Sequence, residues 1–389
     1  MSTTEKTNEK TSEGMKTSYN KKDEVLSKIN FSAQSATSNE DKETLTIEVS
    51  FFEWASLIAQ GHAAFQFLWS GIQFGVFELL EKSPSLSLED IKNHTGLADN
   101  PAKMLMTSLT CLQFVSLSKD ERYTNTAITK KFFVRSSQEN LIDVLGWQRF
   151  IVYPGIEDAE SSLKADKNLG LEKIPGTATN FYQRISEHDH LRPVFQKAMS
   201  SLSTSSHQVL MNEMDLTGCN HLVDCGGGQG TNVIALAKKF PNVSRFTVFD
   251  QPDVCKMAKA NILQNKLDHK INTLEGDLFK VSFPSTVDSV LLSHMLTIWS
   301  MENNVKLLKR AYEALPKGGK LFIFNMAVDD DQQGPFSSAL GSLYFQCVAT
   351  GQGRLYTNKE FIAMIEAAGF KLEKSKKLPQ AHYLWTAIK

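Results

Sequence analysis

The chain has 389 residues, 41% apolar and 22% charged, a balance that suits two folded units and excludes a wholly disordered chain. Its formal net charge of −1 excludes an overall field that would draw in nucleic acid or anionic lipid. The five cysteines (Cys111, Cys219, Cys225, Cys255 and Cys347) form no C-x-x-C pair and have no histidine at metal spacing, so neither a disulfide framework nor structural zinc is expected and the chain reads as cytoplasmic.

In chain order, residues 1–47 come first, rich in Lys, Glu, Ser, Thr and Asn. They carry too few apolar groups to offset chain entropy and are expected to be a disordered tail. The opening lacks the apolar run of a secretory signal, and its acids argue against an organelle transit peptide. Between Glu53 and Glu78 there is no Asp, Glu, Lys or Arg, and apolar spacing from Phe51 to about Leu80 is helical. Gln60, His62, Gln66 and Gln73, with Gly61, Gly71 and Gly75, are poor chemistry for facing lipid. A buried subunit interface is expected there, and no membrane span.

Next, a helix begins at Ser87 with Glu89 and Asp90 in its first turn, a turn falls around Gly96, and a second helix starts from Pro101. A short hairpin follows around Lys119–Glu121. That order is a winged helix. A DNA reader needs Arg or Lys on its second helix, and here Lys103 is the only cation. Residues 48–135 are therefore expected to be a packing and dimerisation domain, without a nucleic-acid partner.

Residues 136–215 read as a helical linker that contributes to a substrate pocket, with breaks near Pro154, Pro175 and Pro193. After His221 the pattern changes. HLVD, RFTVFD, KINTLEG, DSVLLSHM and KLFIFNM are strand-like runs, separated by amphipathic segments such as TNVIALAKKF and ENNVKLLKRAYEAL. The expected fold class is therefore α/β, a Rossmann-like doubly wound sheet over 216–389 behind a mainly helical N-terminal domain.

The strongest motif is VDCGGGQG, Val223 to Gly230, following a strand and opening a helix. Gly226 and Gly228 allow a sharp turn and a close approach of ligand to main-chain N–H groups. A dinucleotide site of the G-x-G-x-x-G type would need glycine or alanine at Thr231. Asp224 suits a cationic ammonium better than a pyrophosphate. Asp250, ending the second strand, can accept both ribose hydroxyls of an adenosine. Asp277, Leu278 and Phe279 end the third and offer a carboxylate for an exocyclic amine with an apolar wall for a purine. Together these suit an adenosyl sulfonium, S-adenosylmethionine (SAM).

With VDCGGGQGT, FDQPDV, GDLF, LPKGGK and TNKEFIAMIEAAGF, the segment from about Phe51 to Lys389 resembles the plant-type O-methyltransferase family, SAM-dependent dimers with a winged N-terminal domain. The resemblance implies a homodimer acting on a small molecule. It puts Gly226, Gly228, Asp250, Asp277 and Phe279 on cofactor positions, and Ser293 where the family usually has a lysine near SAM. Members that methylate phenols carry a histidine base in Leu-His-Asp-Trp. Here the segment is Leu296-Thr297-Ile298-Trp299, so Thr297 stands at the base position. The two glutamates that orient that histidine are replaced by Asn325 and Leu355.

A phenol, with pKa about 10, must lose a proton, and general-base help is worth roughly 10²–10⁴-fold. A thioether or neutral amine already presents a lone pair. The leading expectation is therefore an acceptor that needs no deprotonation. GWQRFIVYPGIED, GLEKIPGTATNFYQRI and GRLYT are similar to the methylthiohydroxybutyrate S-methyltransferases of dimethylsulfoniopropionate synthesis. That likeness implies 4-methylthio-2-hydroxybutyrate as acceptor, with Arg149 first and Arg354 second as carboxylate clamp. The expected wall is Trp147, Phe150, Tyr153, Tyr182, Met199 and Trp299. The alternatives are an O- or N-methyltransferase of a natural product with its base moved to His294 or His207, a SAM-dependent enzyme that no longer methylates, and a DNA-binding regulator. Strand alternation should aim His294 away from Thr297. Asp329-Asp330-Asp331 reads as a set of solvated loop acids, so no metal is expected.

Overall fold

The structure, a computed structural model, describes residues 28–33 and 45–389. Chain contacts divide it into one unit up to Ser70 and a second from Gly71 to Lys389. In the first, strands β1 (Lys28–Ala33) and β2 (Leu45–Ser50) pair antiparallel, Lys28 opposite Ser50. The expected tail is corrected at these residues, because ladder hydrogen bonds compensate the scarcity of apolar side chains. The remainder of that tail, 1–27 and 34–44, lies outside the described residues. Ser50 then caps the helix Phe51–Ala59 through a reciprocal bond with Glu53. A further helix runs over Gly61–Gln73.

In the second unit the winged motif forms as its sequence implies. Ser87 and Asp90 make a capping box at the start of the helix Leu88–Thr95, and Gly96 (φ 70°) closes it. The second helix is Asp99–Cys111, beginning slightly before Pro101. Strands β3 (Val115–Leu117) and β4 (Tyr123–Asn125) form the hairpin. Lys103 is ion-paired with Asp99 at 2.8 Å, so the only cation of that helix already has a partner. Among the described residues no single helix is long and apolar enough to cross a membrane.

Short helices then lead to the long helix Leu191–Glu213. Pro193 does not break this helix: it sits in the first turn, where its missing N–H costs no hydrogen bond. Two π-helical turns, Gln148–Val152 and Phe345–Ala349, share one apolar cluster with Leu171, Phe181 and Tyr344.

The α/β sheet has seven strands: β5 (His221–Cys225), β6 (Arg245–Asp250), β7 (Ile271–Glu275), β8 (Ser289–Ser293), β9 (Lys320–Met326), β10 (Lys371–Lys377) and β11 (His382–Ile388). Their order is β10-β11-β9-β8-β5-β6-β7. Five strands are parallel, and β11 runs antiparallel between β9 and β10. The parallel strands read as unbroken apolar runs because helices cover both faces. Neither β10 nor β11 is among the expected strands. The edge strand β10, KLEKSKK, is mostly exposed, and its lysines guard an open edge. Chain order reverses between β5 and β8, which places a crevice at the carboxyl ends of these two strands, next to β6.

Candidate active site

The glycine motif turns at the tip of β5. Gly226, Gly228 and Gly230 all have left-handed backbone (φ 69°, 56° and 78°), and Gly230 precedes the helix Thr231–Lys239. A Cβ on Gly226 would lie 2.1 Å from the sulfur of Met295, which fills the space beside the turn, whereas a Cβ on Gly228 would meet nothing within 4 Å. Gly226 is thus closed by protein and Gly228 is open to a ligand. Gly226→Ala combines a strained φ with a collision. It is expected to cost about 2–4 kcal/mol of stability, measured by urea unfolding, whereas Gly228→Ala should cost less.

Asp224 lies fully buried under this turn, and neither carboxylate oxygen has a hydrogen-bond partner. Burial first, and the Asp250 charge second, push its carboxyl up to about 8. A buried carboxyl whose two oxygens lack donors fits a cationic group. Asp250, at the tip of β6, accepts from the Gly228 N–H at 2.9 Å and from the Gln251 N–H at 2.7 Å. Burial raises its pKa, against those two N–H groups. Each of its oxygens keeps acceptor capacity for a diol. Beyond β7, Gly276 (φ 146°) folds tightly against Val281, and Asp277 accepts from the Phe279 N–H at 2.9 Å. Leu278 and Phe279 are half-buried against the core, and the Phe279 ring meets Trp299 edge-on at 5.3 Å. Arg310, which the sequence reading passed over, donates to the carbonyls of Leu278 (3.0 Å) and Val281 (2.7 Å).

The loop after β8 carries Ser293 to Trp299. His294 is left-handed (φ 56°), so it breaks strand alternation. Its ring packs edge-on against Phe324 with centroids 5.2 Å apart, and its Nε2 lies 2.9 Å from His382 Nε2. Its Nδ1 is 3.2 Å from Ser293 Oγ, so both ring nitrogens are occupied. Burial, helped by the neighbouring imidazole, holds His294 down to about 3, and burial holds His382 down to about 4. Thr297 is buried, and Gly353 passes so close that a Cβ would lie 2.0 Å from the Thr297 carbonyl. Side chains fix this loop from three directions: Asn304 holds the Leu296 carbonyl at 2.6 Å, Tyr356 holds the Trp299 carbonyl at 2.7 Å, and Thr350 donates to the Ile298 carbonyl.

With this geometry described, comparison with known proteins is specific. A family model described as the O-methyltransferase domain matches residues 160–371, and one described as the O-methyltransferase dimerisation domain matches 57–135. The chain belongs to the O-methyltransferase family. It is 31% identical to the L-tyrosine C(3)-methyltransferase of Streptomyces lavendulae, over 84% of this chain and 88% of that one. It is 30% identical to the 3-hydroxy-5-methyl-1-naphthoate 3-O-methyltransferase of Streptomyces sahachiroi, over 80% and 87%. Among solved structures, the SAM-dependent methyltransferase SibL in its apo form has 31% identity and a TM-score of 0.76, covering 86% of this chain and 98% of its own. Human N-acetylserotonin methyltransferase, solved in complex with SAM, shares the fold at 21% identity and a TM-score of 0.75, over 91% and 99%.

Of the three residues expected where the family has its base and two orienting acids, Thr297 is buried, Asn325 is buried on β9 with its carbonyl oxygen unpartnered, and Leu355 is buried. The expected wall residues do not form one group. Trp147 packs edge-on against Tyr344 at 4.8 Å, and Tyr182 and Phe181 adjoin the same cluster. Burial pushes the Tyr182 and Tyr344 phenols well up. Tyr153 has a buried hydroxyl, and Met199 is half-buried on the long helix. Two expectations are corrected. Phe150 is 46% exposed and points out of the wall, because the π turn rotates it outward beneath Arg149. Trp299 packs edge-on against Phe279 and is not part of the cluster around Tyr344.

Arg354 is also corrected as a clamp. It is bound in a two-bond ion pair with Glu360 and lies over Tyr356, whereas Arg149 has no ion pair or hydrogen bond among the described residues. The loop acids are not merely solvated. Asp330 accepts from Asn358 and the Lys359 N–H, and Asp329 pairs with Lys377. Among the described residues no cluster of His, Cys, Asp or Glu is placed to hold a metal. Tyr344 is the wall residue the sequence reading missed. Its only signal was an aromatic at the end of the helix Phe336–Tyr344.

Proposed function

We propose that the chain transfers the methyl group of SAM to a small acceptor that reacts without a general base at the family position. The observation that carries this is the joint replacement of the base and its two orienting acids by Thr297, Asn325 and Leu355. A threonine hydroxyl cannot remove a proton near neutral pH, and His294, the nearest imidazole, has both nitrogens engaged and stays neutral. When bound, SAM supplies a methyl group on a sulfonium, open to in-line attack. The chain's part is placement: Asp250 for the ribose, Asp224 for the ammonium, Asp277 to Phe279 for the base, and Ser293 beside them. Alignment of this kind can supply most of the acceleration when no proton has to move. We read the molecule as a cytoplasmic homodimer, because the helix Phe51–Ala59 buries none of its residues and leaves Phe52 81% exposed.

A thioether carrying a carboxylate meets both local conditions, and 4-methylthio-2-hydroxybutyrate is such a compound. Arg149, with no ion pair or hydrogen bond among the described residues, is the clamp in this reading, and Trp147, Tyr153, Tyr182 and Met199 provide the wall. A second reading is favoured by the relatives: methyl transfer to the ring carbon or oxygen of an aromatic natural product, with His207 as base. His207 is half-buried, its Nδ1 has no partner, and burial holds it below its ordinary value.

The test incubates enzyme and SAM with 4-methylthio-2-hydroxybutyrate, methionine, L-tyrosine and a panel of phenols, and follows the mass of one added methyl. Thr297→Ala is expected to keep activity within about threefold, because no base is removed, against the roughly 10²–10⁴-fold that a base contributes. Turnover of phenols alone, or a dead Thr297→Ala that still binds SAM, would defeat the base-free reading.

A further inference from the structure

One helix, Met301–Ala314, touches both loops that must meet across the reaction centre. Near its start, Asn304 is fully buried and its Nδ2 donates to the carbonyls of Leu296 (2.6 Å) and Trp299 (3.3 Å), the two residues that bracket Thr297. Six residues on, about 9 Å along the axis, the Arg310 guanidinium donates to the carbonyls of Leu278 and Val281. Those carbonyls bracket the segment that follows Asp277. The loop needs an outside grip, because Gly276 has a backbone conformation open mainly to glycine and the chain doubles back onto Val281. A planar fork can span two carbonyls three residues apart, which a point-like ammonium cannot do as well. The two loops meet at an aromatic contact between Phe279 and Trp299.

We propose that Arg310 and Asn304 are positioning residues with divided duties: Arg310 shapes the methyl-donor loop and Asn304 shapes the acceptor loop, on one rigid helix that sets the distance between them. This rests on the SAM reading above. The division is readable because each grip acts on main-chain atoms of a different loop, so their loss moves different quantities.

The experiment measures S-adenosylhomocysteine affinity by calorimetry and amide hydrogen exchange across both loops. Arg310→Met is expected to raise the Kd about tenfold or more and to speed exchange over 277–281, leaving 296–299 unchanged. Arg310→Lys, which keeps one donor group, should recover part of that affinity. Asn304→Ala, and Tyr356→Phe as a milder change at the same carbonyl, should speed exchange over 296–299 with the Kd within about twofold of wild type. With an accepted methyl acceptor they should lower kcat and leave the KM for SAM unchanged. An unchanged Kd in Arg310→Met, or an equal loss of affinity in Asn304→Ala and Tyr356→Phe, overturns the division of duties. Wild-type protein that bound no S-adenosylhomocysteine would instead overturn the donor reading on which it rests.

Discussion

Asp250→Ala is expected to weaken S-adenosylhomocysteine binding by about 10²-fold or more while leaving the folded state intact. The carboxylate stands at the tip of β6 with one backbone N–H on each oxygen, from Gly228 and Gln251, and so keeps capacity for two ribose hydroxyls. Hydrogen bonds to a charged acceptor contribute about 1.5–3 kcal/mol each, so losing two is worth roughly 10²–10⁴-fold. The Gly228 bond adds a second effect, since it holds the one glycine of the turn that has open space before it. Asp250→Asn keeps an acceptor oxygen and should fall between. The variants are compared by calorimetry, with urea midpoints as the check on folding. A Kd within threefold of wild type for Asp250→Ala would remove the ribose assignment.

Much of this donor side is legible in the sequence, because its determinants are local. A glycine turn between a strand and a helix needs three small residues in succession, and carboxylates at strand ends fall at fixed offsets from apolar runs. The capping box at Ser87 and the five parallel strands are legible for the same reason. What escaped depends on partners distant in sequence. Met295 matters through its packing on Gly226, Arg310 through two carbonyls about thirty residues upstream, and Tyr344 through the facing Trp147. Alternation could not show how His294 is seated, since one left-handed residue sets its ring against Phe324 and His382. Arg149 and Arg354 were equal as sequence symbols, and only the Glu360 pairing separates them. The strands β10 and β11 were lost to opposite causes: one is lysine-rich at an open edge, and the other is a buried apolar run with no alternation.

The second large effect is on pH. Between pH 6.5 and 8, protein without donor should lose about 1–2 kcal/mol of stability relative to Asp224→Asn. The Asp224 carboxyl is fully buried and both oxygens lack donors, and it is pushed up to about 8 from an unfolded value of about 3.9. Between those values the folded state holds a proton that the unfolded chain has released. Stability therefore falls with rising pH, by at most roughly 1.4 kcal/mol per unit, and the fall ends near pH 8. His294 and His382 act in the opposite sense. Their folded values of about 3 and about 4 lie below the unfolded imidazole, so their contribution is lost in acid and fully present only above about pH 7.5. Lowered values at His207 and His221 follow the same sign. These histidines, and the Cys225 and Cys255 thiols that burial pushes up, titrate alike in wild type and Asp224→Asn, so the difference between the two proteins isolates Asp224. An ammonium seated beside the carboxylate favours its ionised form, so S-adenosylhomocysteine should stabilise wild type more at pH 8 than at 6.5. Comparison with Asp224→Asn cancels the titration of the ligand's own amine. Urea midpoints that change with pH equally in both proteins would show that Asp224 is ionised before any donor arrives.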